Sequence, residues 1–203
     1  LKELEELRDS LTHMVVHDLR TPLTSLLAGM QSFEITDDLT PEQTKFVKIA
    51  IRGGETLLGM INDPLDISKM EQGSLTLHKA PIIASSVIKT AIEQVKPLAD
   101  ERELTLNIHI EDEMAEVLPD EDKLTRTLVN LLGNAIKFTP AQGAITLRAM
   151  IAGFEMLFTV IDTGEGIPQE AFGRIFEKFG QVETRKGGRR LSTGLGLTFC
   201  KMV

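Results

Sequence analysis

Residues 14–24 read M-V-V-H-D-L-R-T-P-L-T, and their spacing predicts a helix. On a helix His17 and Thr21 are four residues apart and share a face. Asp18 follows His17 directly, so its carboxylate can reach the imidazole edge or the nearby backbone. A carboxylate that accepts from Nδ1–H fixes the tautomer and leaves a lone pair on Nε2. That arrangement makes a nucleophile of an ordinary histidine. Pro22 lacks an N–H and its ring crowds the carbonyl of Asp18, so a kink is expected there. Taken alone, the stretch fits a solvated or core helical histidine as well as a reactive one.

Outward from this stretch, Leu1 to Phe33 reads as one helix. Leu4, Leu7, Leu11, Met14 and Val15 step by three and four with Glu and Lys between them, a heptad-like seam. A narrow seam on a long helix needs a partner, and a homodimer is expected; packing within one subunit is the alternative. Glu34 to Leu39 is a polar turn. Thr40 reads as an N-cap, with Pro41 at the first helical position and Gln43 completing a capping box. The second helix runs to about Glu71. Gly53-Gly54 and Pro64 weaken its interior, and a bend is expected. Two antiparallel helices, doubled, make a four-helix bundle. Gln72-Gly73-Ser74 closes this unit.

The chain has 203 residues, enough for one large or two small domains, and its 42% hydrophobic content can fill real cores. A net charge of −8 argues against a nucleic-acid partner. The basic cluster Arg185, Lys186, Arg189 and Arg190 is too short for a duplex but adequate for a triphosphate. Cys200 is the sole cysteine, so no internal disulfide forms and a reducing compartment is expected. No run approaches a membrane span and no signal peptide opens the chain. The first residue is Leu, so a fragment of a longer, cytosolic portion is expected, with any membrane attachment through N-terminal regions absent here.

After Leu75 strands and helices mix. Ser74 to His78 alternates like a short strand, and Ala84 to Asp100 is an amphipathic helix. Leu104 to Ile110 alternates as a strand, and Asp120 to Phe138 is helical. Ala144 to Ile151 and Glu155 to Ile161 are strands joined at Gly153. Ile167 to Thr193 is a long Gly- and Arg-rich connection, and Gly194 to Val203 begins another helix. The pattern predicts an α/β sandwich with helices on one sheet face. His78 and His109 fall in predicted strands and read as structural. His13 lies four before His17, a metal-compatible spacing, but no third ligand is evident.

On the 120–138 helix, Asn130, Asn134 and Lys137 form one stripe, while Leu128, Leu131, Leu132 and Ile136 face a core. An Asn carbonyl is a suitable hard ligand for Mg²⁺, which keeps waters and shares substrate phosphates. The lysine is a point charge for phosphate. A solvated face would more naturally carry Glu and Lys. Asp162-Thr-Gly164-Glu-Gly166-Ile167-Pro168 follows a strand; its glycines let backbone approach a planar ligand, and Asp162 can accept from an exocyclic amine such as adenine's. Alone, such a run is often only a turn. Ser192-Thr193-Gly194-Leu195-Gly196-Leu197 opens a helix, where free N–H groups favour anions, but it lacks a Walker lysine. Phe176-Glu-Lys-Phe179 fits either a mobile lid's anchors or a short core helix, and the arginine cluster either an arm over phosphates or a solvated loop.

In this order the chain carries H-D-L-R-T-P-L, N-L-L-G-N-A-I-K-F-T, D-T-G-E-G-I-P, F-E-K-F and G-L-G-L. Together they resemble the H, N, first glycine, F and second glycine boxes of sensor histidine kinases of two-component systems, across nearly the whole chain. The resemblance implies a dimerisation and histidine-phosphotransfer domain over residues 1–73, a dimeric four-helix bundle. A catalytic ATP-binding domain of the GHKL type then covers 74–203, lacking the C-terminal strands with which relatives complete the sheet. It implies that His17 is the phosphoacceptor, Asp18 its assisting base, and Thr21 the residue that positions a water for dephosphorylating the partner. It implies ATP and Mg²⁺, with Asn134 on the metal and Asn130 and Lys137 near the phosphates. Asp162 would take the adenine amine, with Gly164 and Gly166 lining the base. Thr193, Gly194 and Gly196 would sit at the phosphates, and Phe138, Ile167, Phe179, Arg189, Arg190 and Leu195 complete the nucleotide set. The phosphoryl group would pass to an aspartate of a response-regulator receiver domain. A GHKL ATPase of another kind, a non-catalytic scaffold, and a kinase acting mainly as a phosphatase are the competing readings.

Overall fold

The computed structural model describes residues 2–35, 39–178, 180 and 194–203, with the backbone alone for residues 2–13 and for Thr56. The chain divides into two compact units, Leu1–Leu75 and Thr76–Val203.

The first unit is a pair of helices, α1 (Lys2–Glu34) and α2 (Pro41–Glu71). The start of α2 is a closed capping box. The Thr40 hydroxyl accepts from the Gln43 amide at 3.3 Å, and the Gln43 side chain accepts from the Thr40 amide at 2.8 Å. Both orphan donors are thereby satisfied. Helical assignment continues through Pro22 in α1 and through Gly53, Gly54 and Pro64 in α2. Gly54 has a packing role, because a Cβ there would lie 2.6 Å from Leu27 Cδ2. The missing side chain is the seat for a buried leucine of α1. With the Lys48–Glu34 ion pair at 4.0 Å and the Arg20–Asn62 hydrogen bonds, this seat fixes an antiparallel register.

Val16, Leu27, Ile51, Leu65 and Ile67 are buried between the helices. A second set of apolar residues is left exposed: Val15, Leu19, Leu26 and Phe33 on α1, and Phe46, Ile49, Leu57 and Met60 on α2. Their steps of three, four, seven and eight draw a second apolar stripe at helical spacing. The N-terminal part of the predicted seam, Leu4, Leu7 and Leu11, has side chains outside the described residues, as does His13.

The second unit is an α/β layer structure. Its three-stranded sheet runs in the order β2 (Thr105–Ile110), β4 (Ala144–Ala152), β5 (Glu155–Asp162), with β2 parallel and β5 antiparallel to β4. Register sets Ile108 beside Leu147 and Leu147 beside Val160, so one face is apolar. On β4, Ile145, Leu147 and Ala149 are buried against Val87, Ala91 and Val95 of α3 (Ala84–Glu101) and Leu128, Leu132 and Ile136 of α4 (Glu121–Phe138). Each large aliphatic side chain removed from water here contributes about 2 kcal/mol. A short helix, α5 (Gly196–Met202), packs on α4 through the fully buried Phe199, over whose ring the Arg126 guanidinium lies at 3.9 Å.

Ser74 to His78 is not a strand, contrary to its alternation. Leu75 and Leu77 are half-buried, but the segment meets no strand partner. The His78 amide donates instead to Asp120 Oδ2 at 2.9 Å, and Lys79 bridges Asp120 through the backbone. The strand nearby is β1 (Ile82–Ile83), paired antiparallel with β3 (Glu116–Val117). Neither pair of residues is long enough to carry a periodic signal.

Asp120 also caps α4, its Oδ1 accepting from the Lys123 amide at 3.1 Å. Burial alone would raise this carboxyl, but the two amide donors and the charges of Lys123 and His78 hold it below the usual carboxylate range. The folded group titrates below the unfolded one. Its stabilisation is therefore full above the unfolded pKa and fades as pH falls through the folded pKa. Asp120→Ala is expected to cost about 1 kcal/mol at neutral pH, read from urea midpoints, and the gap to wild type should close in acid. A gap constant across that range would remove the carboxylate's charge from the explanation.

Candidate active site

In the first unit α1 carries His17, Asp18 and Thr21 on an open surface. The His17 and Asp18 side chains are 77% and 72% exposed, with Nδ1 of the ring 3.4 Å from Asp18 Oδ1. The contact is long for a hydrogen bond, yet it turns Nδ1 toward the carboxylate and leaves Nε2 to solvent. The Thr21 hydroxyl donates to the His17 carbonyl at 3.3 Å, which places it one turn further along the same face. Pro22 gives the Asp18 carbonyl no amide donor, and α1 is continuous there all the same.

The second unit gathers the other residues around α4. Burial of Leu128, Leu132, Ala135 and Ile136 forces Asn130, Asn134 and Lys137 together onto another stripe, where all three are half-buried. Leu131, expected in the core, is half-buried as well. Gly196 lies against this stripe. A Cβ on Gly196 would sit 3.4 Å from Asn130 Cγ, and the Asn130 amide lies 3.5 Å from the Gly196 carbonyl. The second glycine run therefore adjoins the asparagine stripe, with Gly194 at φ +71° and Leu195 buried beneath.

The first glycine run meets the far end of α4. Asp162 is exposed at the end of β5, and its Oδ1 accepts from the Gly164 amide at 2.8 Å. Thr163 ties this end of β5 to the start of β4, its hydroxyl accepting from the Ala144 amide at 3.0 Å. Only glycine fits at 164, because a Cβ would lie 2.7 Å from the Phe138 carbonyl oxygen. Gly166 takes the left-handed conformation at φ +70°. Ile167 and Phe138 are exposed beside these runs.

Lys137 stands over the Phe138 ring, its Nζ 4.9 Å from the centroid. Partial burial, and then the nearby Arg102 guanidinium, lower its pKa from the usual lysine value. Arg102 is a residue that sequence reasoning missed. Its Nη1 donates to the Ile136 and Lys137 carbonyls at 3.0 and 2.9 Å, closing the C-terminus of α4. A lone arginine more than thirty positions away in sequence carries no local signal for that role.

Phe179, Arg189, Arg190 and Thr193, with Arg185 and Lys186, lie outside the described residues. Phe176, the other proposed lid anchor, is exposed. Among the described residues no three His, Cys, Asp or Glu side chains gather as a metal cluster. A cation here would have to arrive with phosphate oxygens and waters, to which an asparagine carbonyl such as that of Asn134 adds one hard ligand.

Residues 7–73 match the His Kinase A (phospho-acceptor) domain, and residues 119–203 match the histidine kinase-, DNA gyrase B- and HSP90-like ATPase. The chain belongs to the sensor histidine kinases. It is 36% identical over 192 residues to the circadian input-output histidine kinase CikA of Synechococcus elongatus, covering 92% of this chain and 25% of CikA. It is 33% identical to the autoinducer 2 sensor kinase/phosphatase LuxQ of Vibrio harveyi, covering 91% of this chain and 22% of LuxQ. Full-length ShkA, crystallised with AMPPNP, superposes with a TM-score of 0.68 at 30% identity, over 95% of this chain and 40% of ShkA. The chain thus spans about a quarter of the length of these two curated relatives. In this kinase core His17 falls within the phosphoacceptor match, and the asparagine stripe and both glycine runs fall within the ATPase match.

Gly164→Ala is expected to force the β5 end away from α4, an overpacking cost of about 1–3 kcal/mol. It should weaken binding of a fluorescent ATP analogue by about tenfold, since each 1.4 kcal/mol is a factor of ten. Unchanged affinity and melting temperature together would contradict this reading of the joint.

Proposed function

We propose that this chain autophosphorylates on His17 from Mg²⁺-ATP and passes the phosphoryl group to an aspartate of a response-regulator receiver domain. The observation that carries the reading is the exposed imidazole of His17, with Nδ1 turned to Asp18 and Nε2 left free. In the step proposed, the Nε2 lone pair attacks the γ-phosphorus. The Nε2–P bond forms as the bond from phosphorus to the β,γ-bridging oxygen breaks. ADP leaves with that electron pair, and Asp18 takes the Nδ1 proton that the cationic ring releases. Positioning and charge neutralisation carry most of the catalysis in such transfers.

Asn130, Asn134 and Lys137 are assigned to the triphosphate and its Mg²⁺, with Asn134 as the protein's ligand to the metal. Asp162, Gly164, Gly166, Ile167 and Phe138 are assigned to the base, and Gly194, Leu195 and Gly196 to the phosphates. Phe179, Arg189, Arg190 and Thr193 retain their assignment from the sequence boxes. The apposition of Asn130 and Gly196, and of Phe138 and Gly164, supports this grouping. Residues 1–73 serve as the dimerisation and phosphotransfer domain and 74–203 as the catalytic domain. The exposed apolar stripe on α1 and α2 supports a homodimer through a four-helix bundle. A cytosolic location follows from the ATP chemistry; among the described residues no helix is long and apolar enough to cross a membrane.

His17→Gln should abolish labelling by γ-labelled ATP while leaving nucleotide binding intact. Acid-labile phosphate that persists on this variant would falsify the assignment of His17.

A second activity is favoured by Thr21, whose hydroxyl lies one turn beyond His17, and by LuxQ's description as a kinase/phosphatase. Thr21 is assigned to positioning the water that dephosphorylates the regulator. Thr21→Ala should spare autophosphorylation and slow regulator dephosphorylation. An unaltered phosphatase rate removes this role from Thr21.

A further inference from the structure

Three residues after His17, Arg20 reaches across the hairpin. Its Nε donates to Asn62 Oδ1 at 3.0 Å, and its Nη2 donates to the same oxygen. Two donors converging on one oxygen hold the guanidinium in place and turn that edge toward Asn62. On a helix a residue at i+3 neighbours the first, so the side chains of His17 and Arg20 leave α1 from adjacent turns. Nη1 has no hydrogen-bond partner among the described residues.

Two features argue against a purely structural staple. The pair lies at the surface, where such contacts add little to stability. More telling is the identity of the acceptor. An aspartate at position 62 would hold a guanidinium more strongly, but it would cancel the positive charge. Asn62 orients Arg20 through a neutral oxygen and leaves the full charge available. Arg20 forms no ion pair with a carboxylate among the described residues. Such a group, planar, oriented and uncompensated, suits a phosphoryl oxygen.

We propose that Asn62 is a positioning residue that holds Arg20 so that its guanidinium meets the phosphoryl group as it arrives on Nε2 of His17. The inference rests on His17 being the phosphoacceptor. Asn62 touches no substrate; it acts through Arg20. The charge on the transferring group is met at the acceptor histidine, separately from the residues assigned to ATP.

The test is autophosphorylation of the full chain with γ-labelled ATP, across a range of ATP concentrations, alongside thermal unfolding. Asn62→Asp decides between a staple and a charge-presenting clamp. The clamp predicts a melting temperature equal to or above wild type, a KM for ATP unchanged, and a maximal rate lower by about tenfold or more, the scale of a misplaced or neutralised transition-state contact. A staple predicts that this variant keeps the wild-type rate, and that result overturns the proposal. Asn62→Ala should also lose rate with KM unchanged. The double variant Arg20→Ala with Asn62→Asp should be no slower than Arg20→Ala alone, because the two act as one unit; additive losses overturn the proposal. His17→Gln separates the layers. If it still acquires acid-labile phosphate, the phosphoacceptor reading fails. If it does not, and Asn62→Asp is fully active, only the clamp fails.

Discussion

The second unit depends on the two-sidedness of α4. Four apolar residues on one side must leave water, and the sheet and α3 give them somewhere to go. Once that side is committed, the helical period has no freedom left. Asn130, Asn134 and Lys137 must share another stripe, however much a carboxamide would gain from full solvation. The remaining contacts are made to this fixed bar. Phe199 and Arg126 clamp α5 along it, Gly164 lies against its last carbonyl, and Arg102 closes the orphan acceptors at its end. The polar stripe is thus a by-product of hydrophobic burial.

The same logic governs the first unit with less material. The hairpin buries only a narrow stripe, and a two-helix pair has no further layer to cover its other apolar residues. His17 sits outside both stripes, in the polar sector that remains. In the proposed reaction the acceptor ring is reached by two different macromolecular surfaces in turn, which an exposed ring on a helix allows. The low burial of His17 and Asp18 fits this.

Much of this was legible beforehand. Period placed α2, α3, α4 and the β4–β5 hairpin within a residue or two, because each is long enough to display a full repeat, and Thr40, Asp120 and Gly153 bound all but α3. Family boxes marked the residues assigned to chemistry. What escaped detection depends on partners distant in the chain. Ser74 to His78 alternates as a strand does, but its key amide is claimed by a side chain more than forty residues away. Gly54 looks like a helix breaker until Leu27 is seen in its place. Arg102 and Asn62 are ordinary surface residues in the sequence, and only the tertiary arrangement shows the carbonyls and the guanidinium they hold.

The double grip of Asp120 has a mechanical consequence. It anchors the chain at His78 and Lys79 and caps α4 with the same carboxylate. The polypeptide that enters the second unit is therefore fastened to the very helix that bears the asparagines. A pull on the backbone at His78 bears directly on the head of α4, as a load does on a lever's handle.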